Sequence, residues 1–200
     1  MKDIRLWIHD KPGKDIWRLG DSIIAMSMMA HFGSVRLHTP NPNSECYERM
    51  KLLHKLFYRR EFDLEVVEGE DGEKLQPDWF VIERKIPVVK ANLSLTGFEP
   101  YCTTQFRAKG GNRSVPLSEC IKYTEGLPHH DLSEAKYSME DTCIMVHGAK
   151  KHVGSNSGIA WLALSFGTPL VCLMSSWHKE ANDTAMIYMQ QQENAEFIQL

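Results

Sequence analysis

Residues 138–174 read SMEDTCIMVHGAKKHVGSNSGIAWLALSFGTPLVCLM. The stretch orders a helix, a short strand at His152-Val153, a turn of small residues, a second helix from Ile159, and an apolar strand from Leu170 to Met174. A strand, a small-residue turn and a helix in that order make half of an α/β nucleotide-binding domain. The turn Gly154-Ser155-Asn156-Ser157-Gly158 falls where the second helix begins. Unpaired N–H groups and the positive end of the helix dipole point into such a turn, which makes it an anion site that a diphosphate would fit. Ser155, Asn156 and Ser157 are all good N-cap residues, and the flanking glycines let a phosphate approach the backbone closely. The plainer reading of the same residues is a helix cap without a ligand.

Val153-Gly154-Ser155-Asn156-Ser157-Gly158-Ile159-Ala160-Trp161-Leu162-Ala163, followed by Gly167-Thr168-Pro169-Leu170-Val171, resembles the donor-binding stretch in the carboxyl-terminal lobe of GT-B glycosyltransferases. The likeness is to the ADP-heptose:lipopolysaccharide heptosyltransferases (glycosyltransferase family nine) and related O-heptosyltransferases. Two departures stand out. Asn156 occupies a position where that family often has an aspartate that contacts the sugar, and Trp161 one where many members have a histidine.

A second patch lies near the amino terminus. Ile4-Arg5-Leu6-Trp7-Ile8 reads as a first strand, and Arg18-Leu19-Gly20-Asp21-Ser22 opens the apolar run Ile23 to Met29. The resemblance implies that Asp21 is the general base that takes the proton of an attacking acceptor hydroxyl. Read from the residues alone, Asp21 equally caps the helix, and one carboxylate can serve both purposes. The loop His9 to Trp17 is an insertion relative to the family, and a candidate part of the acceptor site.

The third patch is Tyr101 to Arg113, a strand followed by a Gly110-Gly111 turn, which resembles the opening of the family's second lobe. Arg107, Lys109 and Arg113 would there stabilise the negative charge that develops on a leaving nucleoside diphosphate; the alternative for three basic residues in a polar loop is a solvated surface.

Outside these patches the expected order is strand 4–8, helix 21–32, strand 35–38, helix 45–58, strand 63–67, an acidic turn at 68–73, a strand at 78–82, and a crossover within 83–100. Strand 101–107 and helices near 116–126 and 138–148 follow, and a helix from about 179 to 191 closes the chain. Strands alternating with helices argue for parallel sheets covered by helices. The expectation is a compact GT-B-like arrangement of two Rossmann-like lobes, 1–95 on the acceptor side and 96–200 on the nucleotide-sugar donor side. The second lobe is expected to be pared down, since no apolar strand lies between Leu127 and Ser138. The alternative is one continuous doubly wound sheet.

Composition sets wider bounds. The chain has 200 residues, 42% hydrophobic and 24% charged, as in an ordinary globular protein. It contains no bilayer-length apolar run, and its start resembles no secretory signal, so a cytoplasmic protein is expected. Five cysteines without CxxC spacing suggest free thiols, and nine histidines without a zinc pattern suggest no metal; His129-His130 read as a polar turn. A formal charge of −3 argues against a large nucleic-acid surface, and Arg49, Lys51, His54, Lys55, Arg59 and Arg60 read as a solvated helix face. Trp177 and His178, directly after a strand, are candidates to stack on a base or sugar, with core packing the alternative for Trp177; Trp161 is expected to be buried.

The function implied is transfer of a sugar from a nucleotide-diphosphate donor to a hydroxyl-bearing acceptor such as a glycan, without metal or further cofactor. The competing reading is a non-catalytic nucleotide- or nucleotide-sugar-binding protein. These are two separate classes, and fold likeness alone does not choose between them.

Overall fold

The computed structural model describes residues 1–6, 18–91, 99–107, 113–133, 136–175 and 184–200. The chain divides into two compact units, Met1–Asn92 and Leu93–Leu200.

The first unit is built on a four-stranded parallel sheet of order β3-β2-β1-β4, from β1 (Lys2–Leu6), β2 (Ser34–Thr39), β3 (Asp63–Glu68) and β4 (Glu73–Leu75). Alternation decides its two faces. Ile4, Leu6, Val35 and Leu37 are buried, while Asp3 and Arg36 on the opposite face pair with His38 and Glu65. Helix α1 (Leu19–Phe32) is apolar on every side, and all of Ser22 to Met29 is buried, which makes it the central helix of the unit. Its Ser27 hydroxyl donates back to the Ile23 carbonyl and accepts the Val89 N–H, so a polar side chain is met inside the core. Helix α2 (Glu45–Leu53) runs on into a π-helical turn, His54–Tyr58.

One expected strand is corrected here. Residues 78–82 belong to helix α3 (Pro77–Glu83), which starts with Pro77 at its first position, where a missing N–H costs nothing. The fourth strand lies just before it, at the end of the acidic turn. The connection between β3 and β4 is only Gly69–Gly72, and it crosses the sheet so closely that a Cβ on Gly72 would lie 2.8 Å from the Asp3 carbonyl carbon.

The second unit is a five-stranded parallel sheet of order β6-β5-β7-β8-β9. Its strands are β5 (Cys102–Gln105), β6 (His129–Asp131), β7 (Lys151–Gly154), β8 (Leu170–Met174) and β9 (Ala195–Gln199), joined through α4 (Leu117–Lys122), α5 (Met139–Gly148), α6 (Gly158–Phe166) and α7 (Thr184–Gln190). The two separate sheets exclude the alternative of one continuous sheet. No apolar strand was expected between Leu127 and Ser138, and a polar one stands there instead. His129-His130-Asp131 forms an edge strand, and a strand paired on one side needs no apolar residues to hold its ladder. Strand β9 follows the last helix and was not expected.

Val153, Val171 and Leu173 on one face of this sheet pack with Val115 and Cys120, and Phe106, Tyr123 and Ile198 close over them. Trp161 is buried as expected and stacks on Tyr188 of α7, with centroids 5.4 Å apart. Helix α6 ends on Gly167 at φ 72°, the left-handed cap that the sequence Gly167-Thr168-Pro169 invites. All five cysteines are buried and free, and burial pushes the Cys120, Cys143 and Cys172 thiols up to about 12.

His152 lies fully buried within β7, with Nδ1 3.0 Å from Thr103 Oγ1. Burial lowers its pKa to about 4 from 6.5. The unfolded chain therefore binds the proton first, so this contribution is complete above pH 6.5 and is lost as pH falls toward 4. It amounts to about 3 kcal/mol. Urea midpoints should drop more steeply between pH 6.5 and 4 in the wild-type chain than in His152→Leu; equal slopes would contradict the assignment. Gly154→Ala should destabilise the chain by about 1–3 kcal/mol, because its Cβ would meet the Gln105 carbonyl oxygen at 2.6 Å. An unchanged melting temperature would show that β5 and β7 are less tightly opposed than this.

Candidate functional site

In the second sheet the chain goes from β5 outward to β6 and then returns to β7 on the opposite side of β5. The connections after β5 and β7 therefore part in opposite directions and leave a crevice at the carboxyl ends of these strands, where open α/β sheets bind ligands. Gln105 ends β5 and Gly154 ends β7, and the two are in register. The predicted turn sits at this crevice.

Local chemistry fixes the turn. Gly154 has no room for a side chain against Gln105, and the Ser155 N–H donates to the Gln105 carbonyl at 3.2 Å. Ser157 is the N-cap of α6, in extended backbone conformation, and its Oγ accepts the Ala160 N–H at 3.5 Å. The Gly158 and Ile159 N–H groups, ahead of Ala160, have no acceptor within the helix. The cap reading of Ser157 thus holds, and it leaves the first-turn donors of α6 for an anion.

Two side chains of the turn point to a ligand more directly. Ser155 and Asn156 are 0% and 1% exposed, and Ser155 Oγ and Asn156 Nδ2 have no hydrogen-bond partner among the described residues. Thr104 Oγ1, from the end of β5, is buried in the same condition. An unmet buried polar group costs about 1–3 kcal/mol, so the adjacent pair Ser155 and Asn156 at the end of β7 is a place where water or a ligand would complete the bonding.

The basic residues are distributed as follows. Arg107 lies exposed just beyond β5, with its guanidinium 5.2 Å from the Phe106 ring centre. The backbone N–H groups of Phe106 and Arg107 both donate to Ser133 Oγ, at 2.9 and 3.2 Å. Arg113 is half-buried where the loop returns, close to the point at which the Val115 N–H donates to the Phe106 carbonyl at 2.9 Å. Lys109 lies outside the described residues, as do Trp177, His178 and the insertion His9–Trp17.

Asp21 belongs to the other unit, in the first turn of α1, which follows β1. That sheet also has a switch point, between β1 and β4. Asp21 is half-buried, and its Oδ2 accepts the Arg18 backbone N–H at 2.7 Å. Asp21 is therefore a capping carboxylate, with one oxygen committed to the helix.

Sequence reasoning missed Thr104 and Gln105. The polar run Thr103-Thr104-Gln105 at the close of a strand was the available signal, because buried polar side chains are unusual on a central strand. The basic helix face is engaged locally. Arg49 pairs with Glu45 at 2.8 Å, Lys51 pairs with Glu48, and His54 Nε2 lies 2.7 Å from the Phe62 carbonyl oxygen. Among the described residues there is no group of three or more His, Cys, Asp or Glu side chains arranged to hold a metal ion, and no helix long and apolar enough to cross a membrane.

No family model matches the sequence, and no curated protein matches it. Solved structures do. The iron-containing dodecameric glycosyltransferase TibC from enterotoxigenic E. coli H10407 superposes with a TM-score of 0.59 at 11% identity, over 86% of this chain and 57% of that protein. The E. coli heptosyltransferase WaaC with ADP covers 100% of this chain and 93% of its own at 10% identity, with a TM-score of 0.47. The chain thus spans little more than half the length of TibC. Two parallel-sheet α/β units of this kind are the fold of GT-B glycosyltransferases.

Proposed function

We propose that this chain transfers a sugar from a nucleotide-diphosphate donor to a hydroxyl-bearing acceptor. The observation that carries the reading is the turn 154–158. It combines a helix start, a strand end that only glycine fits, and two buried side chains without partners, at the switch point of a parallel sheet.

In this reading the first-turn N–H groups of α6 hold the diphosphate, and Ser155 and Asn156 complete its hydrogen bonds. The acceptor oxygen attacks the anomeric carbon as the bond to the diphosphate breaks. Charge gathering on the leaving group is met by the helix end and by Arg107, Lys109 or Arg113 rather than by a metal. In this reading the acceptor's proton passes to the Asp21 carboxylate. A second reading, a nucleotide-binding protein without transfer activity, is favoured by one observation: Asp21 already has a structural task at the start of α1.

Calorimetric titration with UDP, GDP, ADP, CMP and dTDP sugars tests the donor site. One nucleotide class should bind, and Ser157→Asp should abolish that binding while keeping the helix cap, since aspartate caps well but repels an anion. Failure of every donor to bind would refute the reading. Asp21→Asn retains an acceptor for the Arg18 N–H and removes the base. It should leave donor affinity and melting temperature unchanged and lower transfer by about 100-fold or more, with wild-type transfer insensitive to chelators. Unimpaired transfer in Asp21→Asn would leave Asp21 as a cap alone.

A further inference from the structure

The direction of the hydrogen bonds around Ser157 can be followed from one donor to the next. The Ala160 N–H can only donate, so Ser157 Oγ accepts on its helix side. The Ser157 hydroxyl proton goes to the side chain of Gln105, where Oε1 accepts it. With Oε1 committed in this way, the remaining end of the Gln105 amide is Nε2, a donor with two hydrogens. The Gln105 backbone carbonyl is taken by Ser155. One half-buried residue at the end of β5 thus holds the turn through two oxygens and keeps its N–H donors for something else. Beside it, Ser155 Oγ and Asn156 Nδ2 are almost fully buried and unmet.

We infer that Gln105 reads the ligand of this site. Its Nε2 donates to an oxyanion seated on the start of α6, and the Ser157 hydroxyl serves to aim that amide instead of touching the ligand. The inference rests on the functional reading above and adds a residue to it. It also changes the role of Ser157, whose proton and acceptor face are both used within the protein. The donors that the turn offers, Gln105 Nε2, Ser155 Oγ, Asn156 Nδ2 and the α6 N–H groups, are all uncharged. Selectivity for an oxyanion then comes from fixed N–H and O–H directions, and a carboxylate in place of the Gln105 amide is the change the site tolerates least.

Gln105→Glu separates positioning from ligand contact, because a carboxylate still accepts from Ser157 but repels an oxyanion until it is protonated. Calorimetry with ADP, UDP and inorganic pyrophosphate at pH 8 and pH 5, on the wild-type chain, Gln105→Glu and Gln105→Ala, gives the readout, with thermal melts alongside. Gln105→Glu should melt like the wild type and bind about tenfold more weakly or worse at pH 8. That deficit relative to wild type should shrink at pH 5, whereas the deficit of Gln105→Ala should stay constant with pH. Wild-type affinity in Gln105→Glu at pH 8, or an equal deficit at both pH values, would overturn the inference while leaving the functional reading intact. A wild-type chain that binds none of the three probes would overturn this inference, and failure of all five nucleotide sugars as well would overturn the functional reading with it.

Discussion

The close approach of β5 and β7 at their carboxyl ends is the constraint on which the rest of the second unit depends. The Gln105 carbonyl lies where a side chain at position 154 would begin, so only glycine fits there. The same carbonyl then takes the Ser155 N–H, and α6 starts three residues on, after the Ser157 cap. Because β6 and β7 lie on opposite sides of β5, this tight junction coincides with the crevice between diverging connections. Packing, turn and the proposed anion site thus follow from one strand-to-strand contact. The buried polar groups are tolerable at this point because it is the mouth of the sheet.

The first unit obeys similar rules with a different emphasis. Its central helix α1 is wholly apolar along Ile23 to Met29 apart from Ser27, and the helix start is fastened by Asp21. Its sheet buries one face and spreads charged pairs over the other, which is uncommon for parallel strands. A four-residue connection, Gly69–Gly72, takes the place of a crossover helix between β3 and β4. Glycine is needed at 72 because that end of the connection lies against the backbone of β1.

Much of this was legible from local pattern. The Ser-Asn-Ser-Gly start and Gly-Thr-Pro end of α6 are signals with a steric cause, and both lie where they were expected. Long apolar or amphipathic runs, such as α1 and the face made by Tyr47, Met50 and Leu53 of α2 with Phe57 of the π-helical turn, were equally clear. The failures involve short elements whose identity is set by neighbours. Trp79-Phe80-Val81-Ile82 has strand-like residues but lies on a helix, and Pro77 was the overlooked sign. Strand β6 is three polar residues held by one partner, and no periodicity can show that. In the site, the turn itself was readable. The contribution of Gln105 was not, because it depends on a pairing across 52 positions in sequence.

The central claim is that the start of α6 receives a nucleoside diphosphate. Following backbone amide resonances by NMR while adding a nucleoside diphosphate tests it most directly. Saturable shifts centred on the Ser155, Gly158 and Ile159 amides and on the Gln105 side-chain NH2 are expected. Shifts confined to the first unit, or none at saturating nucleotide, would contradict it.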